Sequence, residues 1–205
     1  MSYQPVAEGA LAAVVTFLDM HRAPATEVPS SSLALRRIER PDPDAYRALF
    51  RLVGAPWLWF SRLVMDDAAL CAILHDPRVE LYAVTDEAGA DAGMLELDFR
   101  VGGECELAFI GLLTGLAGPG HGRWLLGEAL RRAWSGEGIA RVHVHTCTLD
   151  HPAALGAYRR AGFTPRRRAI EHFPDPRLLG ILPVDCAPQV PLLGLLAAPS
   201  AAPAT

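Results

Sequence analysis

Residues 117–134 read AGPGHGRWLLGEALRRAW, a glycine-rich turn followed by an amphipathic helix. Glycine lets a backbone turn sharply, and the N–H groups exposed at the start of a helix attract anions. The stretch therefore predicts a turn that binds a pyrophosphate, although a surface turn that only caps a core helix would show the same pattern. The apolar residues that recur at helical spacing are Leu125, Leu126, Ala129, Leu130 and Ala133.

Two well-known phosphate-binding motifs do not fit these residues. A P-loop requires Lys followed by Ser or Thr after its last glycine, and here Arg123 and Trp124 follow Gly122. A dinucleotide fingerprint requires the spacing G-x-G-x-x-G, whereas the residues from Gly118 onward have the spacing G-x-G-x-G. If the turn binds a phosphate, it belongs to another class of site.

A second stretch, residues 150–163, reads DHPAALGAYRRAGF and predicts another helix that ends before a glycine. Together the two stretches resemble the GNAT family of N-acetyltransferases, whose signatures are R/Q-x-x-G-x-G/A and N-x-x-A-x-x-x-Y-x-x-x-G-F. Ala117 stands for Arg or Gln in the first signature, and His151 stands for Asn in the second. The positions that match are Gly120, Gly122, Ala154, Tyr158, Gly162 and Phe163.

The resemblance covers about residues 33–173 and implies an α/β fold, with a mixed, mostly antiparallel sheet of six or seven strands and helices on both faces. Outside it we expect an N-terminal helix and linker over residues 1–32 and a tail rich in Pro, Ala and Leu over residues 174–205. Helical spacing of apolar residues places the first helix at residues 6–21. Alternating patterns place strands at 33–39, 79–85, 94–100, 104–113, 141–149 and 166–173.

In the GNAT family, the strands that correspond to residues 109–112 and 142–147 splay apart, and the pantetheine arm of acetyl-CoA inserts into the gap. The resemblance therefore implies acetyl-CoA as the co-substrate. An open strand edge suits this ligand, because it offers unpaired N–H and C=O groups to the amides of pantetheine. The residues implied to contact it are Ile110, Leu112, Ala117, Gly118, Gly120, His121, Gly122, Arg123, His151 and Tyr158.

Acetyl transfer to an amine requires a group that removes a proton from the amine and benefits from an acid near the departing thiolate. Glu106 lies eleven positions before Ala117, where GNAT enzymes with a strand glutamate base carry that residue. Glu104 shares its strand face and is a second candidate, and a water chain is a third. Tyr158 matches the tyrosine that protonates the CoA sulfur in many relatives. Alternatively, both acids are solvated strand residues and the Tyr158 ring only packs on the sheet.

Three large aromatic residues, Trp57, Trp59 and Phe60, follow a predicted helix in a connecting segment. Large apolar side chains in a loop need burial or a ligand, so they either plug the core or line a pocket. GNAT proteins build part of the acceptor pocket in this region, so the resemblance implies that these residues, with Glu104, contact the acceptor. The sequence leaves open whether that acceptor is a small-molecule amine, a peptide N-terminus or a protein lysine.

Composition excludes several other classes. The 205 residues are 51% hydrophobic, enough for one sizeable domain, and their net charge of −4 shows no basic excess for nucleic acid. We expect no membrane span, no leader, and reduced cysteines in a cytoplasmic protein, because no apolar run is long enough and the four cysteines are scattered. The seven histidines match no metal-ligand pattern, so we expect no metal. The sequence leaves open whether two copies of the chain form a homodimer.

These features predict an acetyl-CoA-dependent N-acyltransferase with Glu106 as general base and Tyr158 as general acid. The alternative is a non-catalytic module on the same fold that binds acyl-CoA or a partner protein. The departures at Ala117 and His151 are the features that favour this alternative.

Overall fold

The computed structural model describes residues 2–25, 27–116 and 120–194. Within these ranges the chain forms seven β-strands and four α-helices. In chain order they are β1 (Ala10–Met20), β2 (Ala34–Ile38), α1 (Pro43–Gly54), α2 (Asp67–Leu74), β3 (Val79–Thr85), β4 (Asp91–Asp98), β5 (Glu104–Leu112), α3 (His121–Ala133), β6 (Arg141–Cys147), α4 (Ala154–Arg160) and β7 (Thr164–Pro174).

The seven strands of the described ranges form one sheet in the order β2-β3-β4-β5-β6-β1-β7. Neighbouring strands are antiparallel, except that β5 and β6 are parallel. The predicted α/β fold, with a mixed and mostly antiparallel sheet, is therefore confirmed.

The prediction of a helix over residues 6–21 is wrong, because residues 10–20 form β1 between β6 and β7. In the middle of a sheet both faces of a strand are covered, and Val15 and Leu18, on opposite faces of β1, are both buried. A near-continuous apolar run has no period that separates a buried strand from a helix. The expected boundary at residue 33 therefore does not separate the first segment from the sheet.

Helices cover both faces of the sheet. On one face, which we call the α3 face, Leu125 and Leu130 of α3 and Tyr158 of α4 belong to one buried cluster with Leu107 of β5. On the other, the α1 face, Phe50 of α1 and side chains of α2 cluster with β3 and β4. The core therefore lies in two layers, and the α1 face stays partly open beside β5 and β6.

The tail packs against the segment that follows α1. The guanidinium of Arg177 is buried, and it donates to Oδ2 of Asp175 at 2.7 Å and to the carbonyl oxygen of Val190 at 2.9 Å. This arrangement brings Leu182 into a cluster with Leu58, whereas Leu179 remains exposed. The tail therefore packs against residues 57–60, which follow α1 and which we call the aromatic segment.

Turn chemistry sets the end of β4. The strand ends at Asp98, two residues before the predicted end at Arg100, because the Asp98 carboxylate accepts a hydrogen bond from the backbone N–H of Arg100 at 2.9 Å. Such an Asx turn competes with a strand ladder. Among the described helices, none is long and apolar enough to cross a bilayer.

Candidate active site

A cavity of about 1600 Å³ opens where β5 and β6 separate. In the described structure the two strands pair only where residues 104–106 lie beside residues 141–143. Beyond this point Ile110 and Leu112 line the cavity from β5, and His145 and Cys147 line it from β6. The gap expected between these two strands is therefore present.

A β-bulge on β5 lies beside the gap. Glu96 pairs with Phe109 whereas Leu97 pairs with Leu107, so Ala108 is an extra residue on β5. Without the bulge, residues 107 and 109 would share a face. With it, Leu107 is buried on the α3 face and Phe109 packs on the α1 face. The bulge therefore places an aromatic ring in the wall of the cavity.

The N-terminus of α3 lines one end of the cavity. Gly120, which precedes α3, has a φ of 92°, a conformation that glycine adopts without steric cost. A Cβ atom at Gly120 or Gly122 would meet no described atom within 4 Å, so both positions border open space. The exposed Arg123 lines the same end. Two further predicted contacts, Ala117 and Gly118, lie outside the described residues.

The two histidines predicted to contact CoA differ in position. Nδ1 of His121 lies 2.8 Å from Oγ of Ser31, and the cavity lining does not include His121. Nδ1 of His151 accepts a hydrogen bond from the backbone N–H of Ala153 at 3.1 Å, and the His151 ring packs edge-on against Trp57. The structure therefore brings His151 to the cavity, whereas His121 ties the start of α3 to the segment before β2.

Tyr158 lies on α4 with its side chain buried and its ring in the wall of the cavity. The ring packs edge-on against Phe163, with 5.8 Å between the centroids. Burial raises the pKa of the phenol above its ordinary value, so the hydroxyl stays protonated throughout the neutral range. A protonated hydroxyl in this place can donate a proton or a hydrogen bond.

Asp150 links the end of β6 to the segment after α1. Its Oδ2 accepts hydrogen bonds from Oγ1 of Thr146 at 2.7 Å and from the N–H of Cys147 at 2.8 Å, and its Oδ1 accepts from the indole N–H of Trp59 at 3.1 Å. The helix predicted within residues 150–163 starts at residue 154, and no side chain caps it, because the Asp150 carboxylate closes the turn after β6 instead.

The three aromatic residues of the aromatic segment line the cavity. The Trp59 ring lies 5.8 Å from the Phe50 ring and 5.3 Å from the Phe109 ring, and Phe60 lies 5.0 Å from Phe173. The segment therefore packs on the core and forms a wall of the cavity, so the two alternatives that the sequence left open coexist.

The two candidate carboxylates of β5 have different surroundings. Oε2 of Glu104 accepts a hydrogen bond from Nη1 of Arg141 at 2.7 Å, and the cavity lining does not include this residue. Glu106 does line the cavity, and its Oε1 lies 3.3 Å from Nδ1 of His145. Contact with His145 lowers the pKa of Glu106 below its ordinary value, despite partial burial that acts in the opposite direction. The structure therefore favours Glu106 over Glu104 at the site.

A buried polar group that the sequence did not reveal stands beside Phe109. Oε1 of the fully buried Glu96 accepts a hydrogen bond from Nη2 of Arg62 at 2.5 Å, and its Oε2 accepts from the hydroxyl of Tyr46 at 2.5 Å. Arg62 also lies over the Phe109 ring and lines the cavity. Glu96 therefore holds an arginine in the cavity wall, and sequence spacing gives no signal for contacts between such distant residues.

The cavity also contains a cysteine, Cys147. Burial, together with the nearby Asp150 carboxylate, raises the pKa of its thiol to about 11. A thiol of this kind is a poor nucleophile at neutral pH, because the reactive form is the thiolate. Among the described residues, no cluster of His, Cys, Asp and Glu has the arrangement of a metal site.

We expect Trp59→Phe to raise the KM of the acceptor several-fold, because the smaller phenyl ring lacks the indole N–H that binds Asp150 and leaves part of the cavity wall unfilled. It should also lower the free energy of unfolding by about 1 kcal/mol, the usual contribution of such a hydrogen bond, while the Kd of CoA changes little. Trp59→Ala serves as the contrast, since it also removes ring packing on Phe50 and Phe109. A normal acceptor KM in both variants, with a loss of stability alone, would show that Trp59 is purely structural.

Residues 44–163 match the family described as "Acetyltransferase (GNAT) family". This range covers more than half of the chain. The sequence has no significant match among curated proteins.

Solved structures share the fold at low sequence identity. A GCN5-related N-acetyltransferase from Sphaerobacter thermophilus is 18% identical with a TM-score of 0.56, over 79% of this chain and 51% of that one. A GCN5-related N-acetyltransferase from Kribbella flavida is 17% identical with a TM-score of 0.52, over 82% and 60% of the two chains. The chain thus spans about half to three-fifths of the length of these two proteins.

An aminoglycoside acetyltransferase from an uncultured soil metagenomic sample is similar in its fold over most of its length. It is 19% identical with a TM-score of 0.53, over 68% of this chain and 93% of that one. The sequence match, the seven-stranded sheet of the described ranges and the gap between β5 and β6 lead to one conclusion. The chain belongs to the GNAT acetyltransferase family.

Proposed function

We propose that the protein transfers an acetyl group from acetyl-CoA to the amine of a small molecule or a peptide. One observation carries this proposal. A single cavity is lined at one end by the N-terminus of α3, and elsewhere by Glu106, Tyr158 and the aromatic segment. Such a cavity suits a reaction in which a donor enters through one end and an acceptor through the other.

The residues present fit acetyl-CoA. Gly120 and Gly122 leave open space at a helix N-terminus, as a pyrophosphate requires, and Arg123 adds a positive charge beside them. In the described residues, β5 beyond Glu106 has no partner strand on the β6 side, so its backbone groups are available to the amides of pantetheine. When bound, acetyl-CoA supplies an activated acetyl thioester.

The side chains around the cavity supply the proton chemistry. Glu106, with His145 beside it, is the carboxylate that serves the removal of a proton from the amine. Tyr158 supplies a hydroxyl that stays protonated at neutral pH and can meet the departing sulfur. Cys147 stays a thiol, so direct attack of the amine is favoured over an acyl-cysteine route.

The proposal is tested by incubating the protein with acetyl-CoA and a panel of amines, and by measuring free thiol together with the mass of the products. We expect thiol release that depends on the amine, and a mass increase of one acetyl group in each product. Binding of CoA without thiol release from any amine would instead indicate the non-catalytic module.

We expect Tyr158→Phe to lower kcat about tenfold and to leave the Kd of CoA unchanged. The effect is smaller than that of a base, because a thiol has an ordinary pKa of about 8.5 and leaves readily as the thiolate. The ring keeps its packing on Phe163, so stability should be retained. If kcat is unchanged and only the melting temperature falls, Tyr158 is a packing residue.

A further inference from the structure

His145 occupies an exposed position on β6, two residues beyond His143, which is the register partner of Glu106 on β5. Its Nδ1 lies 3.3 Å from Oε1 of Glu106, about half of its side chain is exposed, and it lines the cavity. The other ring nitrogen, Nε2, makes no hydrogen bond to the described residues, whereas the Glu106 carboxylate is engaged by the imidazole. The histidine is therefore the more accessible member of the pair.

We propose that the imidazole of His145 takes the proton from the acceptor's ammonium group, and that Glu106 acts as the positioning residue that orients this imidazole. The proposal rests on the proposed acetyl transfer and assigns one step of it. It differs from the assignment favoured by the sequence, in which the carboxylate of Glu106 takes the proton itself.

The step balances without any further reactant. The N–H bond of the ammonium breaks, its electron pair stays on nitrogen, and the proton bonds to Nε2 of the neutral imidazole. The neutral amine then forms a bond to the acetyl carbon as the bond from that carbon to sulfur breaks. The nitrogen loses its second proton, and the thiolate sulfur gains one proton through the Tyr158 hydroxyl, so that the charges balance. The imidazolium afterwards releases its proton to solvent, which its exposed position allows.

The charges around His145 favour this role. Contact with Glu106 raises the pKa of the imidazole above its ordinary value, although partial burial opposes the shift. The Asp150 carboxylate, in the loop after β6, and the Glu171 carboxylate, on β7, act in the same direction. On the β1 side the imidazole meets the Phe17 ring, which Arg167 of β7 covers. A proton acceptor whose pKa lies near the working pH is the more effective one.

The chain offers a matched control two residues away. His143 lies on the same strand and the same face of the sheet, beside Glu104, with 3.6 Å between its Nε2 and Oε2 of that carboxylate. The cavity lining does not include His143. The two histidines therefore share a strand face, and they differ in the carboxylate that each contacts and in access to the cavity.

Titration of the histidines by NMR tests the pairing without any substrate. We expect the His145 imidazole to titrate above its ordinary pKa in the wild type and at a lower pH in Glu106→Gln, because the variant removes the carboxylate that favours the charged form. His143→Gln should leave this titration in place. An unshifted His145 in the wild type, or one that does not respond to Glu106→Gln, would overturn the proposal.

Kinetics test the role itself. We expect His145→Gln to lower kcat/KM for the amine about a hundredfold, in line with the usual contribution of general base catalysis, and to remove the acidic limb of the pH profile. In Glu106→Gln, the fall of kcat/KM at acidic pH should remain and should shift to lower pH. If Glu106 itself were the base, the Glu106→Gln variant would no longer show this fall. His143→Gln should behave as the wild type.

The outcomes separate this proposal from the proposed function. Thiol release by the wild type that His145→Gln leaves unchanged would overturn the role of His145 alone. The role of His145 would also be overturned if the fall of kcat/KM at acidic pH disappeared in Glu106→Gln but remained in His145→Gln. The Glu106 carboxylate would then be the base. Absence of release by the wild type with every amine would remove the proposed function and this step with it.

Discussion

Replacing Glu106 by Gln should lower kcat/KM for the amine about a hundredfold at neutral pH, because the carboxylate that orients the His145 imidazole is lost and misplaced reacting groups cost about this much. The substitution keeps the shape and polarity of the side chain but removes the charge next to His145. Amines of low pKa should suffer less, because a larger share of them is already neutral. Steady-state kinetics with a series of amines at fixed pH would measure this dependence.

Glu104→Gln is the matched control for that experiment. Glu104 lies on the same face of β5, but its carboxylate pairs with Arg141 outside the cavity lining. We expect its kcat/KM to stay near that of the wild type, with a small change in stability from the lost ion pair. Equal losses in the two variants would contradict the assignment of Glu106, and a loss in Glu104→Gln alone would transfer the role to Glu104.

Replacing Gly122 by Val should weaken the binding of CoA about a hundredfold, which corresponds to roughly 2.7 kcal/mol. A side chain at this position projects into open space at the end of the cavity, where the pyrophosphate is proposed to lie. Since no described atom lies within 4 Å of a Cβ there, the fold should tolerate the change. Calorimetric titration with CoA measures the affinity directly.

Gly102→Val provides the control for a glycine-to-valine change as such. Gly102 lies in the turn between β4 and β5, a Cβ there also meets no described atom within 4 Å, and the cavity lining does not include it. We expect this variant to bind CoA as the wild type does. Unchanged CoA affinity in a folded Gly122→Val protein would exclude the N-terminus of α3 from the site.

Local chemistry made several parts of the fold predictable. The glycines and the helical spacing after residue 120 predict α3, because both signals come from neighbouring residues. Alternation along β5 correctly separates the buried Cys105 from Glu104 and Glu106 on the other face. The position of Tyr158 in its motif places it on the helix that follows β6, and the structure shows its ring at the cavity.

Features that depend on distant partners were not predictable in the same way. The segment at residues 10–20 is a strand because β6 and β7 flank it, and nothing within its own sequence reveals these two neighbours. The Asp150 side chain binds Trp59 rather than capping a helix, since the aromatic segment folds against the end of β6. The contact between His145 and Glu106 depends on the register of β5 against β6.

One signal for His145 was nevertheless present in the sequence. His143 and His145 lie two residues apart on a predicted strand and therefore share one of its faces. The structure separates them instead, because β5 and β6 diverge between their positions: His143 remains in the paired region, and His145 lies where the gap has opened. The divergence of the two strands therefore decides which histidine is available for chemistry.

A crystal structure of the protein with CoA would test the proposed site most directly. We predict that the pantetheine arm lies between β5 and β6, with the diphosphate at the N-terminus of α3 and the sulfur on the side of Tyr158. His145 and Glu106 should then lie on the acceptor side of the sulfur. CoA bound elsewhere on the surface, with the gap between β5 and β6 empty, would contradict the proposed site.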